Sequence, residues 1–122
     1  MPSTTTSEPT PGDLVLVPFA FTDQSRSKKR PALMVSPASS NRSGDLTIAF
    51  VTSRLTTPPR EGDYRVEEWQ AAGLPKPSLV RMKFVTLSRA LILRTLGRLS
   101  PDDWSGFQAA LCEFLGCEGP VR

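Results

Sequence analysis

Two short strings in the chain carry side chains suited to phosphate chemistry. Lys28-Lys29-Arg30-Pro31 is a basic cluster at the entry to an apolar run. Proline fixes its own φ and biases the residue before it toward an extended backbone, so Arg30 presents its guanidinium in a defined direction. Paired guanidinium N–H groups match phosphate oxygens. Thr52-Ser53 closes another apolar run, where hydroxyls at a strand end face a groove rather than a core. Each feature alone has a plainer reading, Arg30 as a solvated loop arginine and Thr52 as a β-branched strand residue.

The chain has 122 residues and no histidine. Ser-His-Asp and Cys-His nucleophile arrangements are therefore excluded within one chain, as are zinc sites built on histidine. Cys112 and Cys117 are the only cysteines. Read as part of one helix, they point to different faces, so no disulfide is expected between them, and two thiols alone make no closed zinc site. No metal and no cofactor are expected. Free thiols suit a reducing compartment, and the Ser/Thr/Pro-rich start lacks the apolar core of a secretory signal. No apolar run approaches the ~18 residues of a membrane span. The expectation is a cytoplasmic protein with no membrane partner.

The net charge of +3 conceals a segmented pattern. Residues 24–60 hold seven bases and one acid, and residues 73–98 hold six bases and no acid, so each block carries +6. Acidic blocks of −3 each flank and separate them, at residues 1–23, 61–72 and 99–122. Two basic blocks folded onto one surface attract a polyanion such as nucleic acid; scattered over strand faces they are merely solvated.

The elements that must position these residues are short. Residues 1–11 are small, polar and proline-rich, and are expected to form a disordered tail. Leu14-Val15-Leu16-Val17 suits a strand buried on both faces, and residues 31–36 and 46–52 read as the next two strands of an antiparallel meander. Residues 64–69 suggest a short strand. Val80, Met82 and Phe84 alternate with Arg81 and Lys83, the pattern of a half-buried strand running to about Leu87. Residues 91–96 fit either a helical turn or a strand. Ser100-Pro101-Asp102-Asp103 reads as an N-cap, a proline at N1 and acids at the positive end of a helix dipole. Trp104, Phe107, Leu111, Phe114 and Leu115 form one apolar helical stripe for a sheet to cover, with Gly116 at the C-terminal end.

In order, these strings closely resemble the MazF/PemK family of toxin endoribonucleases. The resemblance rests on Gly12-Asp13-Leu14-Val15-Leu16-Val17-Pro18-Phe19, Phe21-Thr22-Asp23 and Lys28-Lys29-Arg30-Pro31-Ala32-Leu33. It continues through Thr52-Ser53, Gly73-Leu74-Pro75-Lys76-Pro77-Ser78 with Val80-Arg81, and Leu96-Gly97-Arg98-Leu99-Ser100. It covers roughly residues 12–116. The implied fold is β-rich (α+β), a small SH3-like barrel of the CcdB/PemK/MazF type with a C-terminal amphipathic helix. The implied domain spans residues 12–118, with residues 119–122 as a C-terminal tail.

The resemblance further implies a homodimer whose groove binds single-stranded RNA. Such a toxin cuts mRNA at a short motif without a metal, leaving a 2′,3′-cyclic phosphate and a 5′-hydroxyl, and a cognate antitoxin lays an acidic segment over the same surface. The family's catalytic Arg falls on Arg30 and its catalytic Thr on Thr52. Ser53 and Asp23 are candidate supporting groups. Arginine, with a pKa above ~12, is a poor general base; Asp23 can serve instead, and since sequence carries no geometry the role is left open. Lys28, Lys29, Arg81 and Lys83 are assigned to the phosphate backbone. Phe19 and Phe21 either stack on bases or pack in the core. The loop lacks glycine at Asp23-Gln24-Ser25-Arg26-Ser27, unlike many relatives. Two other functions remain as alternatives. A gyrase-poisoning CcdB-like toxin relies on a Trp-Gly-Ile ending, whereas this chain ends Glu-Gly-Pro-Val-Arg. A non-catalytic nucleic-acid-binding SH3-like module would retain RNA without cutting it.

Overall fold

The computed structural model describes residues 9–18, 29–37, 44–55 and 60–117. The four apolar residues after Gly12-Asp13 lie on β1 (Asp13–Pro18). Leu14 and Val15 are both fully buried although they point to opposite faces, so β1 is covered on both sides as its unbroken apolar run requires. Strands β2 (Lys29–Met34), β3 (Asp45–Thr52), β4 (Tyr64–Arg65), β5 (Leu79–Ser88) and β6 (Arg94–Arg98) follow, and the chain ends on helix α1 (Pro101–Leu115). They form one six-stranded sheet in the order β4-β5-β3-β2-β1-β6, every neighbouring pair antiparallel.

The strand expected over residues 64–69 is shorter, because the backbone turns away after Arg65 and residues 67–73 form consecutive turns. Residues 91–96 hold both expected states in succession, the end of a 3₁₀ turn (Arg89–Leu91) and then the start of β6. Anchoring at the N-terminus begins earlier than the expected boundary. Pro9 is buried, the Thr10 N–H donates to the Asp13 carboxylate at 2.9 Å, and Arg98 donates to Asp13 at 2.6 Å.

Two irregularities curl the sheet into a half-barrel. The β3–β5 register shifts between Ala49 and Val51, and the β1–β6 register between Leu14 and Val15. Such bulges bend a strand and increase its twist. The turn after β4 then meets β6 backbone to backbone. A Cβ on Gly73 would collide with the Leu96 carbonyl, and one on Gly97 with the Ala72 carbonyl. Two glycines are thus what allows the two ends of the sheet to approach.

The curl separates two apolar clusters. The first contains Leu14, Leu33, Ala49, Val80, Leu99 and Phe107, and α1 packs on it through Phe107, Trp104 and Leu111. The second, on the other face, contains Val15, Val17, Ala32, Met34, Leu46 and Ile48, flanked by Phe50, Val85 and Leu87. On β5, Val80, Met82 and Phe84 join the first cluster, as their alternation with Arg81 and Lys83 requires.

Helix α1 starts as its sequence specifies. The Ser100 hydroxyl accepts the Asp103 N–H at 3.1 Å, and Pro101 occupies the first turn. Its stripe is not covered to the end. Phe114 is 41% exposed and Leu115 64% exposed, and neither is among the side chains packed on the first cluster.

Candidate functional site

Alternation along three adjacent strands puts one set of side chains on one face. The β2–β3 ladder pairs Ala32 with Phe50 and Leu33 with Ala49. Continued by two residues, that register sets Arg30 opposite Thr52. Arg81 and Lys83 share the face of β5 that holds Val85 and Leu87. This outer face is apolar at one end, in the second cluster, and cationic at the other. The cationic end is a cavity of about 240 Å³ lined by Arg30, Phe50, Val51, Thr52, Arg60, Arg81 and Lys83.

The polar contacts inside it set what each group can do. Thr52 Oγ1 accepts the backbone N–H of Arg54 at 3.1 Å. That bond uses a lone pair and leaves the hydroxyl proton to donate into the groove. Arg30 is exposed at the second position of β2. Lys83 Nζ lies 5.2 Å from the centroid of the Phe50 ring, a cation–π contact that steadies a flexible side chain. Arg81 is more constrained. Its Nη1 donates to Asp63 Oδ2 at 3.2 Å, and the two side chains are only 12% and 5% exposed. Asp63 Oδ2 also accepts the Arg60 N–H at 2.8 Å. One carboxylate therefore holds two of the groove's cationic residues.

Of the residues selected from the sequence, Arg30, Thr52, Arg81 and Lys83 are brought together. Ser53 is exposed and does not line the cavity. Lys29 is exposed too, and alternation sends it to the face opposite Arg30. Phe19, Phe21, Asp23 and Lys28 lie outside the described residues. Arg60, Phe50 and Asp63 were missed by sequence reasoning. Arg60 follows Pro58-Pro59 in a loop, and no local pattern marks it; Phe50 reads as an ordinary strand residue. Among the described residues no group of three or more Cys, Asp or Glu is placed to hold a metal ion. No helix of the described residues is long and apolar enough to cross a membrane.

Away from the groove, Asp103 is buried and accepts hydrogen bonds from Tyr64 Oη at 2.6 Å, Glu68 N at 2.9 Å and Glu67 N at 3.0 Å. Burial raises its pKa, but these bonds to the charged form outweigh it and the carboxyl sits below its ordinary value. Tyr64 is pushed well above its ordinary value, by burial first and then by the Asp103 carboxylate it faces. This knot ties the turn after β4 to the start of α1.

The class defined here is a small antiparallel half-barrel with one C-terminal helix and a cationic groove on the sheet's outer face. A family model for the PemK-like, MazF-like toxin of type II toxin-antitoxin systems matches residues 10–115, and the chain belongs to that family. Solved structures agree in fold. A MazE-MazF complex (Form-III) from Deinococcus radiodurans has a TM-score of 0.72 at 26% identity, over 92% of this chain and 100% of that one. An endoribonuclease in complex with its cognate antitoxin, from a Mycobacterial species, has a TM-score of 0.72 at 20% identity, covering 92% and 99% of the two chains. Mycobacterium tuberculosis toxin MazF-mt6 has a TM-score of 0.70 at 17% identity, covering 88% and 99%. No curated protein matches the sequence.

Proposed function

We propose that this toxin is an endoribonuclease that cuts single-stranded mRNA at a short motif, with Arg30 and Thr52 as its catalytic residues and no metal ion in the reaction. The observation that carries this reading is the convergence of Arg30 and Thr52 on one cavity with Arg60, Arg81 and Lys83. RNA brings its own nucleophile, the 2′-hydroxyl. The protein's task is to align that oxygen with the phosphorus and to stabilise the charge that builds on the phosphorane. Arg30 grips the non-bridging oxygens through two N–H groups, and the Thr52 hydroxyl donates to the same phosphate. The 2′-oxygen forms a bond to phosphorus as the bond to the 5′-oxygen breaks. The 2′-proton is lost to a base, for which Asp23 is the candidate, and a proton reaches the departing 5′-oxygen. The products are a 2′,3′-cyclic phosphate and a 5′-hydroxyl.

Lys83 and Arg60 hold flanking phosphates, while Phe50 gives a base a face to stack on. The same cationic groove suits an extended acidic segment of a cognate antitoxin. In two of the similar solved structures the toxin is held by its antitoxin, MazE in one of them. The exposed Phe114 and Leu115 at the end of α1 support a homodimer, in which a second copy covers them. We place the toxin in the cytoplasm, where mRNA is.

The test incubates a long single-stranded RNA with the wild type, Arg30→Ala and Thr52→Ala proteins in EDTA. Wild type should cut, and each variant should lose about 10²–10³-fold in rate, the usual cost of removing one donor to a developing oxyanion. Equal cutting by all three would overturn the site. Loss of wild-type cutting in EDTA, restored by a divalent ion, would overturn the metal-free mechanism.

A further inference from the structure

Cys112 lies in the last turn of α1, and Cys117 lies two residues beyond its end. The expectation that they point to different faces assumes one continuous helix, but the helix stops at Leu115. Gly116 takes a left-handed conformation, with φ of 76°. Its N–H donates to the Glu113 carbonyl at 3.1 Å, and the Cys117 N–H donates to the Cys112 carbonyl at 2.9 Å. This pair of bonds is a C-terminal reversal in which the chain folds back over the final turn. In such a reversal the residues at its two ends are brought close, and their side chains frequently meet. Here both ends are cysteines. The neighbouring Cys117 thiol, as a hydrogen-bond partner, and then burial push the Cys112 pKa up. Both thiols are free, with Cys117 exposed and Cys112 half-buried.

We propose that Cys112 and Cys117 are a redox-active dithiol that closes to an intramolecular disulfide across the C-terminal turn of α1. The co-reactant is a low-molecular-weight disulfide such as oxidised glutathione. The accessible Cys117 attacks as thiolate and forms a mixed disulfide, releasing one reduced glutathione. Cys112 then attacks the Cys117 sulfur and releases the second. The pair gives up two electrons, the oxidant takes them, and each cysteine's proton ends on a released glutathione. Closure fixes the turn that also carries Phe114. That ring walls a second cavity, shared with Arg60, Lys83 and Met82, beside the cationic groove. The proposal goes beyond RNA cleavage and does not depend on it.

The test equilibrates the full chain in glutathione buffers of increasing oxidised share, blocks remaining thiols by alkylation and weighs the products. Wild type should pass in one two-electron step from a doubly alkylated chain to an unalkylated one lighter than the reduced chain by two hydrogens. Cys112→Ser should stop at glutathione bound to Cys117. Amide exchange at Gly116 and Cys117 should slow in the oxidised wild type. Glutathione accumulating on wild-type cysteines, disulfide-linked dimers, or a chain that stays doubly alkylated in the most oxidising buffer would each overturn the proposal.

Discussion

Arg81 and Asp63 form an ion pair at the rim of the cationic groove, with the Arg81 Nη1 at 3.2 Å from one carboxylate oxygen and 3.4 Å from the other. Asp63 also accepts the Arg60 N–H and so fixes the loop that brings Arg60 to the cavity. Breaking a largely buried pair from one side removes its attraction while the cost of burying the remaining charge stays. Asp63→Ala should therefore cost about 3 kcal/mol of stability, the low end for such a loss, because Arg81 keeps an edge in water. Urea unfolding at constant m-value measures it. The double variant Asp63→Ala/Arg81→Met should recover part of the loss, and a double variant worse than Asp63→Ala alone would refute the pairing.

Lys83 should act on RNA as a charge rather than as a reader of bases. Lys83→Ala should weaken RNA binding about equally for different sequences. It should also lower the slope of log affinity against log salt by about 0.7, the contribution of one phosphate contact on a single strand. Fluorescence anisotropy with labelled RNA across salt concentrations provides the slope. An unchanged slope would remove Lys83 from the interface.

The Tyr64–Asp103 knot sets a pH window for stability. Asp103 has a lowered pKa in the folded state, so its contribution is complete above the unfolded value of about 4 and is lost as acid protonates the folded carboxyl. Tyr64 has a raised pKa, so its contribution is complete below the unfolded value of about 10 and is lost as pH rises beyond it. Thermal melts should show a plateau between these limits. Tyr64→Phe should flatten the alkaline fall, and Asp103→Asn should shrink the acid fall while lowering the plateau. A Tyr64→Phe protein with the wild-type alkaline profile would contradict this assignment.

Gly97→Ala tests how the half-barrel closes. The added methyl meets the Ala72 carbonyl, which belongs to a tied turn and cannot simply rotate away. Overpacking of this kind costs about 1–3 kcal/mol, and a clash with backbone belongs at the upper end. The melting temperature should fall clearly. A melt within error of wild type would mean that the turn after β4 does not rest on β6.

Much of the fold was legible in the sequence because its signals are local. Four apolar residues in a row specified a strand buried on both faces, and strict alternation around Arg81 and Lys83 specified a one-sided strand. Ser100-Pro101 specified the start of α1, because an N-cap and a fixed φ act within one turn. Arg30 and Thr52 were selected by resemblance to a family; taken singly, neither differs from an ordinary strand or loop residue.

Tertiary structure decided what depends on partners distant in the chain. The β2–β3 register and the register shift between β3 and β5 bring Arg30, Thr52 and Lys83 to one cavity, and Asp63 recruits Arg81 by a long-range ion pair and Arg60 through its backbone N–H. Period cannot announce such neighbours, since pairing register is a property of two strands at once. The helical stripe was read correctly as apolar, but how far it is covered is a tertiary matter, and Phe114 and Leu115 stay exposed. Both cysteines are free, as expected, but their placement on different faces was misread for a related reason. Helical spacing holds only inside a helix, and the left-handed turn at Gly116 reverses the chain and sets Cys117 beside Cys112.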